Sequence, residues 1–128
     1  MFVVGGTVTL YIRARECLKI LELDFPNCFE KDALKLPIAL KIHQELAEHY
    51  ENDIRFSKLV LRKALGLYTN KKSYLQNVKA GKYRIDLQGN PTNIVITQAE
   101  ADHACIALKN KIFREQQDRK NKNKVMMK

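Results

Sequence analysis

The segment that most restricts the fold of this chain lies between residues 83 and 96. In Tyr83–Leu87, apolar and charged side chains alternate, which is the two-residue period of a half-buried strand. Gln88–Pro91 has the composition of a tight turn, and Asn93–Ile96 can return as the partner strand. Most of the remaining chain carries helical spacing instead. The sequence therefore predicts an α+β fold that is mainly helical, with about five helices and one small β-hairpin.

Helical spacing of apolar residues and suitable capping residues together predict the helices. Ser57 is the expected N-cap of the third helix, and Thr97 with Glu100 forms a capping box at the start of the last one. Thr69 or Asn70 is expected to cap a short fourth helix. The predicted helices are Tyr11–Leu23, Pro37–Glu51, Ser57–Tyr68, a short segment that ends near Val78, and Thr97–Phe113.

A chain of 128 residues is long enough for one domain with a modest core. We predict that this domain occupies residues 13–113. Residues 1–12 are expected to form an N-terminal arm, either a strand or a loose segment, because their β-branched residues and glycines permit both. Residues 114–128 lack apolar periodicity and are strongly basic. We therefore expect a basic C-terminal tail that is frayed or disordered.

The cysteines and the apolar N-terminal residues indicate in which cellular compartment the protein is located. Met1–Ile12 is too short to span a membrane and lacks the basic start of a signal peptide. The odd number and wide spacing of the cysteines indicate reduced thiols in the core, as expected in the cytoplasm. These cysteines are Cys17, Cys28 and Cys105. We expect a cytoplasmic monomer without membrane association.

The net charge of +9 is concentrated in the tail and in one internal block. Between Ile54 and Ile85 no acidic residue interrupts the basic ones, which usually indicates a surface that faces a polyanion. Tyrosines lie within this block and offer flat faces on which nucleic-acid bases can stack. A solvated face without a partner is the alternative. The basic residues are Arg55, Lys58, Arg62, Lys63, Lys71, Lys72, Lys79, Lys82 and Arg84, and the tyrosines are Tyr68, Tyr74 and Tyr83.

The sequence offers no convincing catalytic or metal-binding pattern. His43, His49 and His103 lack the spacing of metal ligands, and no glycine-rich phosphate loop is present. The serines and cysteines lack a visible base and orienting partner. We predict a protein that is not an enzyme and that needs neither a metal nor a cofactor.

An ordered series of short motifs runs from about Ala14 to Leu108. The series comprises Phe25–Phe29, Leu36–His43, Ser57–Leu65, Tyr68-Thr69, Tyr74-Leu75, Val78-Lys79 and Arg84–Pro91. In its residues and their order it resembles the ProQ/FinO family of bacterial RNA chaperones. The resemblance implies a compact, mainly helical domain with a concave basic face for structured RNA. The implied ligand is a terminator hairpin with its single-stranded, U-rich 3′ tail.

The implied partners are small regulatory RNAs and messenger 3′ ends, which are stabilised or helped to pair with other RNAs. By position, the resemblance assigns RNA contacts to Lys58, Arg62, Tyr74 and Arg84. The turn at Tyr68-Thr69-Asn70 matches an element in which a helix N-terminus receives the RNA 3′ end. The Gln88-Gly89 turn matches the hairpin turn that lies near this pocket in the family. With basic neighbours, the predicted RNA-binding residues are Lys58, Arg62, Tyr68, Thr69, Asn70, Lys71, Lys72, Tyr74, Lys79, Lys82, Arg84, Gln88 and Gly89.

The chain departs from the family pattern at a few of these places. Gly66 and Ser73 stand where many relatives have arginine, and Gln88 stands where aspartate is common. Lysine cannot replace arginine in a two-pronged phosphate contact, so nearby lysines compensate for charge but not for geometry.

Two other functions remain open from the sequence. A DNA-binding helix-turn-helix protein would use Pro37–Glu51 and Ser57–Tyr68 as its helix pair, although their connection is longer than the usual turn. The exposed side of the second helix also lacks the Asn or Gln that reads adenine. A basic module that binds an acidic protein partner is the third alternative.

Overall fold

The computed structural model describes residues 6–30 and 35–126. In this part of the chain, five α-helices and one two-stranded antiparallel sheet form an α+β domain, which confirms the predicted fold class. A single 3₁₀ turn, Ile54–Phe56, precedes the third helix. The elements are α1 (Gly6–Asp24), α2 (Ile42–His49), α3 (Lys58–Thr69), α4 (Lys72–Leu75), β1 (Tyr83–Ile85), β2 (Pro91–Val95) and α5 (Gln98–Met126).

The core lies where α1 and α2 pack against α3. Buried side chains on α1 and α3 recur at helical spacing, so each helix turns one apolar face inward. Leu21, Leu46 and Ala64 are completely buried, and the hairpin covers the same cluster through Ile85. None of the described helices combines the length and apolar character that a membrane span requires.

Local capping chemistry sets two helix starts as predicted. The Ser57 hydroxyl accepts a hydrogen bond from the Val60 N–H at 3.3 Å. At the start of α5, the Glu100 N–H donates to the Thr97 hydroxyl, and the Thr97 N–H donates to the Glu100 carboxylate. The predicted short fourth helix is present as α4, but the prediction of its capping residue and of its end near Val78 was wrong. Thr69 and Asn70 end α3, and Lys71 precedes α4 without a side-chain cap.

The segment Pro37–Ala39 is not helical, contrary to the prediction of a helix that begins at Pro37. The Ile85 N–H donates to the Pro37 carbonyl and the Ala39 N–H donates to the Ile85 carbonyl, each at 2.9 Å. The segment therefore lies beside β1 as a short parallel bridge. Because its backbone groups bond to a distant strand, the helix starts only at Ile42. The same observation shortens the first helix of the proposed helix-turn-helix pair.

Both ends of the domain differ from the predicted boundaries. Helix α1 begins at Gly6, so residues 6–12 are helical rather than a separate arm; residues 1–5 lie outside the described residues. Helix α5 continues to Met126, so residues 114–126 are not frayed. Good helix formers and charge pairs four residues apart, such as Glu115 with Arg119, support a helix without apolar periodicity. Cys105 also departs from expectation, since it is exposed while Cys17 and Cys28 are buried.

The hairpin turn is held by Asp86, whose side-chain oxygen accepts the N–H groups of Gln88 and Asn90 at 2.9 Å. Gly89 in this turn has a φ of +84°. A Cβ at Gly89 would lie 2.7 Å from the carbonyl oxygen of Asn27. The turn is thus fixed against the loop that follows α1.

We expect Gly89→Ala to lower the free energy of unfolding by at least about 1–2 kcal/mol, because the left-handed conformation alone costs that much for an L-residue. The contact with Asn27 adds to this cost. Urea unfolding of both proteins measures the change. Gly66→Ala is the control and is expected to stabilise, since its Cβ would meet nothing within 4 Å and alanine favours a helix. A Gly89→Ala variant as stable as the parent would show that the turn is not held in this conformation.

Candidate nucleic-acid interface

A cleft of about 450 Å³ lies between the α3–α4 junction, β1 and the first half of α5. Apolar walls come from Leu75, Val78 and alanines of α5, while polar groups converge from several elements. A volume of this order suits a drug-sized or nucleotide-sized ligand. The cleft brings together four of the residues predicted to bind RNA, which are Thr69, Asn70, Tyr74 and Arg84.

Arg84 is the most constrained polar group of the cleft. Its side chain is buried and its two terminal nitrogens donate to the Ile38 carbonyl and to the Glu100 carboxylate, each at 3.1 Å. The Nε–H is buried and has no acceptor among the described residues. Arg84 therefore ties β1 to α5.

Glu100 balances the charge of Arg84. The Thr97 N–H and then the Arg84 guanidinium hold the pKa of the Glu100 carboxyl below its usual value. The carboxylate thus stays ionised at neutral pH, and the cleft does not present a free arginine charge. Attraction for a polyanion has to come from basic residues outside this pair.

Two of the three tyrosines of the basic block do not offer stacking faces. Tyr68 is completely buried; its hydroxyl accepts from the Glu30 N–H and donates to the Cys28 carbonyl. Tyr74 is 5% exposed, and its hydroxyl accepts from the Ile38 N–H at 3.1 Å. Burial raises the pKa of both phenols. The ring and hydroxyl of Tyr68 are used in the core, so Tyr68 offers no ring face to a base in this structure.

Lys58 and Arg62 lie on the exposed side of α3, at a groove of about 170 Å³ shared with His43 and Gln44 of α2. Lys58, Arg62, Gly66 and Thr69 follow one another at intervals of four, four and three residues, so they share one face of the helix. This face spans about 16 Å of helix. It leads from the α2–α3 groove to the cleft. We call it the α3 stripe.

The remaining predicted residues are distributed around the cleft rather than within it. Lys71 and Lys72 follow Asn70, and Lys72 pairs with Glu115 of α5 at 2.8 Å. Helix α4 is a single turn, so few peptide dipoles add at its N-terminus. Lys79 and Lys82 are exposed between α4 and β1. Gln88 is exposed and Gly89 packs on Asn27, so the hairpin turn does not contribute to the cleft wall.

Two polar residues of the cleft were not among the predicted RNA-binding residues. Glu100 and His103 line the cleft from α5, whereas Tyr83 on β1 keeps an exposed ring outside the cleft lining. The capping box placed Glu100 at a helix start, but no local pattern connects it with Arg84. Within residues 6–30 and 35–126, no three His, Cys, Asp or Glu side chains are grouped so that they could hold a metal ion.

Comparison with known proteins decides the family. The model of the ProQ/FINO family matches residues 12–124. The chain belongs to the ProQ/FINO family. The match continues past residue 113 into the second half of α5, so the ProQ/FINO region includes most of the helix that the sequence analysis had assigned to a tail.

Named relatives of this ProQ/FINO chain include RNA chaperones of two Aeromonas species. The chain is 39% identical over 111 residues to the RNA chaperone ProQ of Aeromonas salmonicida, which covers 87% of this chain and 52% of that protein. It is 41% identical over 96 residues to that of Aeromonas hydrophila, covering 75% of this chain and 45% of that protein. The chain thus spans about half the length of these relatives.

Solved ProQ/FINO structures share the fold. An NMR structure of a ProQ homolog from Legionella pneumophila superposes with a TM-score of 0.63 at 27% identity, over 86% of this chain and 88% of that one. A crystal structure of a FinO-like RNA chaperone from Neisseria meningitidis gives a TM-score of 0.54 at 15% identity, over 92% and 98% of the two chains. The second likeness concerns the fold alone.

Proposed function

We propose that this protein binds structured RNA and acts as an RNA chaperone in the cytoplasm. The observation that carries the proposal is the continuity of the α3 stripe with the cleft. Basic side chains at one end suit the backbone of an RNA stem, and a nucleotide-sized cleft at the other end suits a single strand. The names of its relatives, which are RNA chaperones, favour the same function.

In this proposal the stem is held by charge and shape. Lys58 and Arg62 are exposed and reach away from the helix body. The major groove of A-form RNA is too deep and narrow for side chains, so these residues contact phosphates rather than bases. Binding at this place is therefore insensitive to the stem sequence. The arginine can grip one phosphate with two hydrogen bonds, and the lysine contributes a point charge.

The single-stranded tail occupies the cleft. Apolar walls at Leu75 and Val78 receive a base, while the side-chain amide of Asn70 offers hydrogen-bond donors. A duplex is too wide for this cleft, so it favours RNAs whose stem ends in a free strand. The natural ligands are therefore small regulatory RNAs and messenger 3′ ends that finish in a terminator hairpin and a U-rich tail. Bound in this way, a 3′ end is shielded from decay, and the RNA can be presented for pairing.

The test compares three ligands in one binding assay with the monomeric protein: a hairpin with a U-rich 3′ tail, the same hairpin without the tail, and a DNA duplex of equal length. We expect the tailed hairpin to bind most tightly and the DNA most weakly. About five neutralised phosphates give a slope of about −3.5 to −4.5 in a plot of log affinity against log salt. Equal or tighter binding of DNA would favour the helix-turn-helix alternative. A slope near zero would exclude phosphate contacts and favour an acidic protein partner.

A further inference from the structure

A second cavity of about 370 Å³ adjoins the cleft and shares Asn70, Leu75 and Ala107 with it. Its outer wall is formed by Lys111 and Arg114 of α5. The two cavities therefore form one continuous channel along the side of α5. The second cavity lies beyond the turn at Asn70, in the direction of the C-terminal half of the helix.

The charged side chains that line this second cavity are two basic and two acidic ones, Lys111, Arg114, Glu115 and Asp118. The carboxylate of Glu115, on the same wall, accepts a hydrogen bond from Lys72 Nζ at 2.8 Å. Lys72 first, and then Lys111 and Arg119, hold the pKa of the Glu115 carboxyl below its usual value. Lys72 and Glu115 are both partly exposed. A surface ion pair of this kind contributes little to stability and is readily exchanged.

We propose that this second cavity binds the phosphate backbone of the single-stranded RNA that leaves the cleft, and that Glu115 holds Lys72 in the free protein until a phosphate replaces it. The inference rests on the proposed function and extends it to a part of the chain beyond residue 108. Lys72, Lys111 and Arg114 are then ligands of the same strand. In the bound state Lys72 exchanges a carboxylate for a phosphate, and both accept charge-assisted hydrogen bonds from an ammonium group.

Helical spacing supports the assignment to one strand. Ala107, Lys111, Arg114 and Asp118 recur at intervals of four, three and four residues, so they share the face of α5 that borders the channel. Lys120 and Lys122 lie farther along the same helix and are exposed. Lys120 and Lys122 are the matched control pair, because they carry the same charge on the same helix as Lys111 and Arg114. Only Lys111 and Arg114 line the cavity.

The test measures the advantage of a tail, defined as the ratio of affinities for the hairpin with and without its U-rich 3′ end. Loss of two single-strand phosphate contacts corresponds to about a tenfold loss of affinity at 0.15 M salt. We expect the double variant Lys111→Ala/Arg114→Ala to lose about this factor for the tailed hairpin and little for the untailed one. The matched variant Lys120→Ala/Lys122→Ala is expected to weaken both RNAs by the same small factor.

The variant Glu115→Gln is expected to change the tail advantage in the opposite direction. Removing the competing carboxylate frees Lys72, so the tail advantage is expected to rise about two- to fivefold. Glu16→Gln, which removes one exposed carboxylate of α1, is the control and is expected to leave the tail advantage unchanged. Circular dichroism and urea unfolding of each variant verify the fold.

The outcomes separate this inference from the proposed function. If the wild-type protein binds no RNA, or shows no tail advantage, the proposed function fails. If wild type has a tail advantage but the Lys111/Arg114 pair behaves like the Lys120/Lys122 pair, the second cavity is not on the path of the RNA. An unchanged or reduced tail advantage in Glu115→Gln would show that the ion pair is structural and does not compete with a phosphate.

Discussion

Replacing Tyr74 by alanine is expected to lower the free energy of unfolding by about 3–5 kcal/mol, the usual cost of removing a large aromatic ring from a core. The ring is 5% exposed and meets Tyr68 edge-on at a centroid distance of 5.6 Å. Its hydroxyl also satisfies the N–H of Ile38, which belongs to the segment beside β1. One substitution thus loosens both the core and the attachment of that segment. Urea unfolding followed by circular dichroism measures the loss.

Tyr74→Phe separates the ring from its hydroxyl. It leaves the packing intact but removes the acceptor of the Ile38 N–H, which costs about 1–3 kcal/mol when a buried donor is left unpaired. We expect Tyr74→Phe to bind a tailed hairpin as the parent does, because the phenol faces the core. Stability of Tyr74→Ala within about 1 kcal/mol of the parent would contradict the packing role, since core truncations of this size cost more. Retained stability with a lost tail advantage would instead support the stacking role that the sequence suggested.

The second large effect is expected for the α3 stripe. The double variant Lys58→Ala/Arg62→Ala removes two phosphate contacts from the proposed stem site. At 0.15 M salt this corresponds to roughly a 10- to 30-fold loss of affinity, and the salt slope becomes about 1.5 units shallower. Both hairpins, with and without a tail, should weaken by the same factor. A salt titration of each RNA measures the affinity and the slope together.

Arg15→Ala/Lys19→Ala is the matched control for this variant. It removes two basic residues at the same four-residue spacing from exposed positions on α1. We expect only the small loss due to net charge. Gly66→Arg is the reciprocal variant, because the stripe is open at that position and a new side chain meets nothing within 4 Å of its Cβ. It should strengthen binding to both hairpins. Equal losses in the control and in the stripe variant would mean that only net charge matters.

Much of the fold could be predicted because its determinants are local. The hydroxyl of Ser57 and the pair Thr97 and Glu100 act within three residues of the N–H groups that they cap. The alternation in Tyr83–Leu87 and the turn chemistry after it specify a hairpin. Apolar spacing on α3 places one face inward and leaves Lys58 and Arg62 outside. These features depend on neighbours in the sequence, and the sequence displays them.

The cleft could be predicted only in part, because its polar contacts join distant residues. Arg84 meets a carbonyl 46 positions away and a carboxylate 16 positions away, and Tyr74 meets an N–H 36 positions away. In the sequence both residues stand in a basic, tyrosine-containing block and suggest a surface that contacts nucleic acid. Tertiary packing decides instead that Tyr68 and Tyr74 are buried and that Arg84 is paired. It leaves Lys58 and Arg62 of the α3 stripe exposed.

The C-terminal helix α5 shows the same difference between what the sequence determines and what tertiary packing determines. Sequence composition determined that residues 109–128 are basic, and composition without apolar periodicity predicted disorder. The structure continues α5 to Met126 and sets Glu115 beside Lys72, 43 positions away. The number of basic residues in a segment is a property of the sequence. The surface that these residues face depends on the helix to which the segment belongs. For this chain, the sequence alone determined how much positive charge is available and on which helices. Only the tertiary structure decided which of it faces the cleft, because burial and ion pairing depend on contacts between residues far apart in the chain.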